Sequence, residues 1–305
     1  MVGQGIQSLA ERPRLDAAPR RRLDAAFLVT PALATVILVL VMPLLLLLRY
    51  SFNHFEPGQF MIEAVTVENY VKFFADPYYR KVMLVTVAVA AISTLSCLLL
   101  GYPVAYRLAR SRWRHKSLLV MLVVMPLFVG NAVRAAGWIV VFGHQGFLNA
   151  ALLWLGVLSD PLDIMYTPLA VIVGITGFNL PFMVLTLQSV IEGIDERLEE
   201  AALGLGASPL RSFRRVTLPL SLPGIGAGTI LCFILAMNAY ATPVLLGGPR
   251  FQMMAPAVYD QISGQANWPL GSALAFALMA VTLLLTTAAN AFLRRGTSAA
   301  RRRTR

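Results

Sequence analysis

The stretch ATVILVLVMPLLLLL, Ala34–Leu48, is apolar on every face, whether it is drawn as a helix or as a strand. A membrane β-barrel strand alternates apolar and polar residues, so this run excludes a transmembrane barrel. Soluble domains rarely contain uninterrupted apolar runs of such length. The stretch therefore indicates an integral membrane protein built from helices.

The composition extends this interpretation to the whole chain of 305 residues, which is 57% hydrophobic and 13% charged. A bilayer core about 30 Å thick requires roughly 20 apolar helical residues. Six stretches meet that requirement. We predict an all-α integral membrane protein whose six transmembrane helices cover about 26–48, 82–106, 117–141, 168–190, 224–246 and 271–293.

Most of the 26 basic residues lie in the two tails and in the second and fourth predicted loops. Because basic residues accumulate on the cytoplasmic side, we expect both termini to be cytoplasmic. The predicted organisation is a basic N-terminal tail (1–25), a transmembrane domain (26–293) and a basic C-terminal tail (294–305). The basic residues that give the chain its net charge of +11 lie next to the predicted membrane segments. We therefore expect contact with membrane lipid and not with nucleic acid.

The sequence contains no recognisable catalytic or metal-binding constellation. The three histidines lie in or beside different loops, and Cys97 and Cys232 fall in different predicted spans, so neither a metal site nor a disulfide framework is indicated. None of the three lysines follows a glycine, which excludes a Walker A loop. No acidic residue lies inside a predicted span, although proton-coupled carriers usually have one.

The longest predicted cytoplasmic loop, between helices four and five, contains EAALGLGASPLRSFRRVTLPL, Glu200–Leu220. The acidic residues at its start predict a short helix that stops at Gly204 and Gly206, and Pro209 prevents the helix from continuing. A second, basic helix is expected to follow. A small Ala/Gly-bearing helix with the Glu200 carboxylate beside it suits a groove on another protein.

This loop resembles the EAA loop of permease subunits of bacterial ABC importers, whose pattern is E-A-A-x3-G-x9-I-x-L-P. One position departs from the pattern, valine for isoleucine, and this change keeps the β-branched apolar character. The matching positions are Glu200, Ala201, Ala202, Gly206, Val216, Leu218 and Pro219.

The resemblance implies that the loop is a coupling helix that docks into a cleft on an ATPase subunit. It also implies a second permease subunit, usually a paralogue, two copies of the ATPase subunit and a periplasmic or extracellular substrate-binding protein. ATP and magnesium would bind the ATPase subunits, so this chain would need no cofactor and would not itself be an enzyme. Transport would proceed by alternating access in the bacterial inner membrane.

Four further segments resemble permeases of the spermidine/putrescine group, which includes opine, phosphonate and ferric-ion importers. They are Met125–Trp138, Gly146–Val157, Asp163–Gly174 and Asn267–Leu278. The resemblance implies polyamines as the first choice of transported cargo. The alternatives are opine, amino-acid-like, phosphonate or ferric-ion cargo. A polycation is expected to favour carboxylates, yet no predicted span contains one.

Polar residues inside the predicted spans are candidates for the translocation pathway or its gate. They are Asn131, Arg134, Asn179, Asn238, Tyr240 and Thr242. Arg134 alternatively anchors its helix at the membrane interface, and the others alternatively form interhelical hydrogen bonds.

Two other classes of protein remain as rivals. A secondary carrier would retain uptake without ATP, but the sequence offers no site for a coupling ion. A membrane-embedded enzyme would need reactive side chains clustered at one depth, and no such cluster is visible.

Overall fold

The computed structural model describes residues 30–31, 33–58, 61–111, 113–114 and 116–303, with side chains up to residue 291. It confirms an all-α membrane protein: the described residues are mainly helical, and six helical stretches are long and apolar enough to span a membrane. The candidate spans are Leu33–Tyr50, Pro77–Ala109, Asn131–Trp154, Pro168–Glu192, Pro209–Met237 and Trp268–Ala291.

We number the α-helices in chain order. They are α1 (Met42–Tyr50), α2 (Glu68–Ala75), α3 (Pro77–Ala109), α4 (Lys116–Val124), α5 (Asn131–Phe142), α6 (Phe147–Trp154), α7 (Pro168–Glu192), α8 (Glu196–Gly204), α9 (Pro209–Ser212), α10 (Leu218–Met237), α11 (Ala241–Gly247), α12 (Met254–Tyr259) and α13 (Trp268–Arg303).

Short stretches of other helical geometry join some of these elements. Ile37–Val41, Phe213–Thr217 and Asp260–Gly264 are π-helical, and Met125–Phe128 is a 3₁₀-helix. The chain consists of two compact units, and the boundary between them lies between Tyr50 and Ser51. The first unit contains the first candidate span, and the second contains the other five. The predicted N-terminal tail lies outside the described residues.

The third predicted span, 117–141, is not one helix. α4 ends at Val124, the 3₁₀-helix follows, and α5 begins after the extended residue Gly130. Pro126 explains the interruption, because proline lacks an N–H and its ring clashes with the carbonyl four residues earlier. The third candidate span is therefore formed by α5 and α6, Asn131–Trp154, which are separated by residues 143–146.

The fifth predicted span, 224–246, is also divided. α10 begins earlier, at Leu218, and ends at Met237, and α11 starts only at Ala241. Asn238 closes α10, and its side-chain amide donates to the carbonyl of Ile234 at 2.9 Å. The same carbonyl also accepts from the Asn238 backbone N–H at 3.3 Å, so the side chain adds a local hydrogen bond where the helix ends.

The core of the second unit is the mutual packing of α3, α7 and α10. Met183 of α7 is fully buried and lies between Gly101 of α3 and Gly228 of α10. A Cβ atom on Gly101 would lie 3.1 Å from Met183 Cγ, and one on Gly228 would lie 2.7 Å from Met183 Sδ. The two glycines therefore provide the space for the methionine, and they allow the three helices to approach closely.

Polar contacts reinforce the same three helices. The thiol of Cys97 on α3 contacts the carbonyl of Thr176 on α7 at 3.4 Å, and the amide of Asn179 on α7 donates to the carbonyl of Cys232 on α10 at 3.1 Å. Both cysteines are buried and free.

Asn149 of α6 organises the loop between α5 and α7. Its buried amide nitrogen lies within 3.2 Å of the carbonyls of Gly143, His144 and Leu162, and its amide oxygen accepts from the Leu162 backbone N–H at 2.9 Å. One side chain thus connects the start and the end of the loop.

We predict that Asn149→Leu lowers the unfolding midpoint of the purified chain in detergent. The substitution removes the hydrogen bonds of Asn149 to partly buried backbone groups, at a net cost of about 0.5–1.5 kcal/mol for each bond. Ala150→Leu, at the exposed neighbouring position, is the matched control and should leave the midpoint unchanged. Equal midpoints for the two variants would show that the Asn149 contacts do not stabilise the fold.

Candidate functional site

The coupling segment is the stretch from Asp195 to Pro219, and its first element is α8. The side chain of Asp195 caps the helix by accepting from the Arg197 backbone N–H at 3.0 Å. At the other end, the N–H of Gly206 donates to Leu203 O and the N–H of Ala207 donates to Ala202 O, at 2.9 and 3.1 Å. This pair of bonds is a Schellman motif.

Gly206 occupies the position of the Schellman motif that requires a left-handed backbone, and its φ is +84°. Residues with a Cβ are strained in this region, whereas glycine adopts it freely. The glycine predicted to be part of the coupling loop therefore has a conformational role. Gly204 is the last residue of α8 and has no positive φ, so it lacks this requirement.

One side of the coupling segment is exposed. Glu200 and Ala201 are exposed on α8, and Ala202 is half-buried. Leu205 and Leu210 are 90% and 66% exposed, respectively. Exposed apolar side chains next to small residues are typical of a surface that contacts another protein.

The remaining positions of the predicted motif lie where the coupling segment joins the membrane helix. Val216 and Leu218 are half-buried, and Pro219 is exposed in the first turn of α10. The 29-residue stretch Pro209–Met237 passes through the π-helical turn without a break and forms the fifth candidate span. The coupling segment is therefore directly continuous with a membrane-spanning helix.

Glu199, which no sequence motif singled out, faces inward next to the exposed Glu200. Its carboxylate accepts from Arg110 Nη2 at 2.7 Å and from the Tyr106 hydroxyl at 3.0 Å. Adjacent residues on a helix point about 100° apart, so two neighbouring glutamates cannot share one face. This periodicity, together with the basic end of the second predicted span, is the sequence signal for the pair.

Two adjoining cavities, of about 380 and 240 Å³, lie away from the coupling segment, near the end of α10. Asn131, Phe178 and Thr242 line both cavities. Arg134 lines the first, and Asn238 lines the second. Four of the six predicted pathway residues are therefore brought together there.

Small residues on α7 shape the larger cavity. A Cβ atom on Gly174 would lie 2.7 Å from Thr242 Cγ2, and one on Gly177 would lie 2.9 Å from Trp138 Cζ2. The two glycines allow α5 and α11 to approach α7 at this level.

Arg134 is the only charged residue among the described residues that line the two cavities. Its guanidinium carbon lies 4.2 Å from the centre of the Phe178 ring. Its Nε and Nη1 atoms are buried and have no hydrogen-bond partner among the described residues. The cation–π contact holds the positive charge, while two of its donors remain available.

The other two predicted pathway residues lie elsewhere. Asn179 is fully buried and joins α7 to α10 through the Cys232 carbonyl, as described above. Tyr240 is 37% exposed and packs against the Tyr259 ring, with 4.9 Å between centroids. Neither residue lines the two cavities.

A bundle of membrane-spanning helices has a cavity with a few polar side chains, and an exposed helix is joined by a short turn to one span. The chain belongs to the family of inner membrane components of binding-protein-dependent transport systems, whose family model matches residues 97–298. It is thus a multi-pass inner-membrane permease subunit of an ABC importer, which confirms the class predicted from the sequence.

Individual relatives agree with this assignment. The chain is 38% identical over 250 residues to the spermidine/putrescine transport system permease protein PotB of Haemophilus influenzae, covering 82% of this chain and 87% of that protein. It is 37% identical to PotB of Escherichia coli, covering 82% and 90% of the two chains.

A solved structure shows the same fold. It is a bacterial alginate ABC transporter in complex with an alginate pentasaccharide-bound periplasmic protein. The matched chain has a TM-score of 0.75 and 18% sequence identity, and the match covers 93% of this chain and 99% of that chain.

We predict that Gly206→Ala accelerates hydrogen–deuterium exchange at the amides of residues 206 and 207. A left-handed backbone with a Cβ costs about 1–2 kcal/mol, which weakens the two hydrogen bonds of the Schellman motif. Gly204→Ala should not accelerate exchange, because this position is helical and alanine favours helix. Equal exchange in the two variants would contradict the role assigned to Gly206.

Proposed function

We propose that this permease imports polyamines such as putrescine and spermidine, together with a second permease subunit and two copies of an ATPase subunit. The observation that carries the choice of cargo is the identity of 37–38% to permeases named for spermidine and putrescine, over 82% of the chain. A substrate-binding protein delivers the cargo. ATP and magnesium bind the ATPase subunits.

We assign the docking of an ATPase subunit to the coupling segment. The motif match supports this assignment, and so does the exposure of Glu200, Ala201 and Leu205 on one surface. Small side chains allow a partner's cleft to approach α8 closely, with little loss of side-chain entropy. Glu200 offers the partner a charge-assisted hydrogen bond.

We assign this chain's part of the translocation pathway to the two adjoining cavities. Asn131, Asn238 and Thr242 supply amide and hydroxyl groups there, and polar side chains at this depth are tolerated where they face protein or a water-filled space. Asn179 and Tyr240 then have supporting roles in helix packing. The cavities are half of a pathway that the second permease completes.

The charge of Arg134 bears on the cargo. Two positive charges 4 Å apart repel by about 4 kcal/mol at an effective dielectric constant of 20, so a bound ammonium would avoid this guanidinium. We therefore assign the carboxylates that a polyamine needs to the second permease, and the selection of cargo to the binding protein. In this arrangement Arg134 limits how long a polycation stays in the cavity.

The proposed mechanism is alternating access. ATP binding closes the two ATPase subunits, and their movement displaces α8 so that the pathway opens toward the binding protein. Hydrolysis then returns the pathway to the cytoplasm. Each step is a shift between two conformations that nucleotide stabilises differently.

The unpaired donors of Arg134 favour a second candidate, an anionic cargo such as an opine, an amino-acid-like compound or a phosphonate. A carboxylate or phosphonate accepts charge-assisted hydrogen bonds from Nε and Nη1. Ferric-ion import is the remaining alternative in this importer class. The described residues that line the two cavities include no carboxylate to receive that ion.

The test is ATP-dependent uptake into proteoliposomes that contain the complete complex and its binding protein. We expect labelled putrescine and spermidine to enter, and an opine or a phosphonate not to enter. Gly206→Asp should abolish uptake while the permease pair still assembles, because the strained residue distorts the docking surface. Gly204→Ala is the matched control and should transport normally.

Three results would contradict parts of this proposal. Uptake of an anionic compound in place of polyamines would contradict the proposed cargo, but the assignment as an importer would stand. Normal uptake by Gly206→Asp would remove the coupling role of the segment. Uptake that persists without ATP but requires an ion gradient would contradict the proposed energy source.

A further inference from the structure

Arg110, at the end of α3, holds α8 through a forked contact. Its Nε and Nη2 atoms donate to the same carboxylate oxygen of Glu199, at 3.1 and 2.7 Å. The side chains of Arg110 and Glu199 are only 14% and 17% exposed. An ion pair with this geometry and limited exposure is less screened than a surface pair.

The same two residues make further contacts across three parts of the chain. Arg110 Nη1 donates to the backbone carbonyl of Ile194, in the connection between α7 and α8, at 2.9 Å. The second carboxylate oxygen of Glu199 accepts from the Tyr106 hydroxyl on α3. These hydrogen bonds therefore join the end of α3 to α8 and to Ile194, the residue that precedes the coupling segment.

Aromatic packing extends these contacts toward the fifth candidate span. The Phe213 ring meets the rings of Tyr102 and Tyr106 edge-on, with centroids 5.7 and 5.6 Å away. The Tyr102 hydroxyl also lies 2.8 Å from the Ser221 hydroxyl of α10. We call the group formed by Arg110, Glu199, Tyr106 and Phe213 the clamp.

The connections at both ends of α8 contain glycine. A short connection containing Gly193 joins α8 to α7, and the turn at Gly206 joins it to α9. Because glycine restricts backbone rotation little, these connections resist a displacement of α8 mainly through their backbone hydrogen bonds. A displacement of α8 can therefore be absorbed at its ends unless noncovalent contacts fix the helix to the bundle.

We propose that Arg110 and Glu199 are positioning residues that make α8 and α3 move as one body, so that the clamp transmits ATPase motion to the second and fifth spans. This inference rests on the proposed function, because it assumes that α8 receives the motion of an ATPase subunit. The Arg110 and Glu199 side chains are largely buried, whereas Glu200, Ala201 and Leu205 are exposed, so the two functions are separable by mutation.

The test uses the complete complex carrying Arg110→Gln, Glu199→Gln or both substitutions. Arg107→Gln is the matched control: it removes the same charge from an exposed position one turn away on α3. Tyr106→Phe removes a single hydrogen bond from the clamp and is the variant least able to disturb folding. Assembly with the ATPase subunit is checked by co-purification.

Two readouts separate positioning from docking. The first is the amount of polyamine taken up per ATP hydrolysed. The second is labelling of a cysteine introduced by Asn238→Cys, in a background with Cys97→Ala and Cys232→Ala, with and without trapped nucleotide. The second readout reports movement of the cavity without requiring that the cargo be known.

We expect the Arg110→Gln and Glu199→Gln complexes to assemble and hydrolyse ATP but to lose the nucleotide-dependent change in labelling. Uptake per ATP should fall about tenfold, within the usual range for coupling between two sites. The double variant should lose no more than either single variant, because the two side chains act through one contact. Tyr106→Phe should show a smaller loss, and Arg107→Gln none.

The proposal would be overturned if the Arg110→Gln complex kept the nucleotide-dependent change in labelling and the uptake per ATP of the wild type. A double variant whose loss equals the two single losses added together would also overturn it. If the wild type shows the change in labelling but moves no polyamine, only the choice of cargo fails, and the labelling still tests the clamp. If no ATPase subunit co-purifies with the wild-type permease, both the proposed function and the proposed role of the clamp are wrong.

Discussion

The close packing of α3, α7 and α10 around Met183 is the constraint on which the rest of this permease depends. Lipid tails are as apolar as the side chains, so helices in a membrane gain little from hydrophobic burial against each other and associate through close contact. Gly101 and Gly228 provide that contact by leaving room for one methionine. At one end of this packing α3 carries Tyr106 and Arg110 of the clamp, and at the other α7 and α10 line the smaller of the two cavities.

The sequence predicted the fold class because apolar runs of membrane length carry little ambiguity. It did not predict the break between α4 and α5, because residues on both sides of Pro126 are apolar and hydropathy does not register backbone interruptions. The end of α10 at Met237 is similar: the Asn238 side chain bonds to the Ile234 carbonyl where the helix ends, and hydropathy does not register this contact.

The sequence predicted the parts of the candidate site in which a motif fixes the backbone. It did not predict the parts in which the direction of a side chain determines the role of the residue. The required glycine of the coupling loop falls at the one position with φ of +84°. In contrast, Glu199 and Asn179 have roles that depend on which neighbour they face. Glu199 turns inward to Arg110, and Asn179 turns away from the cavities to Cys232. A single sequence identifies such polar residues but not their partners.

The central claim is that the exposed side of the coupling segment docks an ATPase subunit, and site-specific photo-crosslinking tests it most directly. A photoreactive residue replaces Leu205, which is 90% exposed, or Trp154, which is 86% exposed at the end of α6. The docking account predicts a crosslink to the ATPase subunit from position 205 and none from position 154. The absence of this crosslink from position 205 in an assembled, ATP-hydrolysing complex would contradict the account.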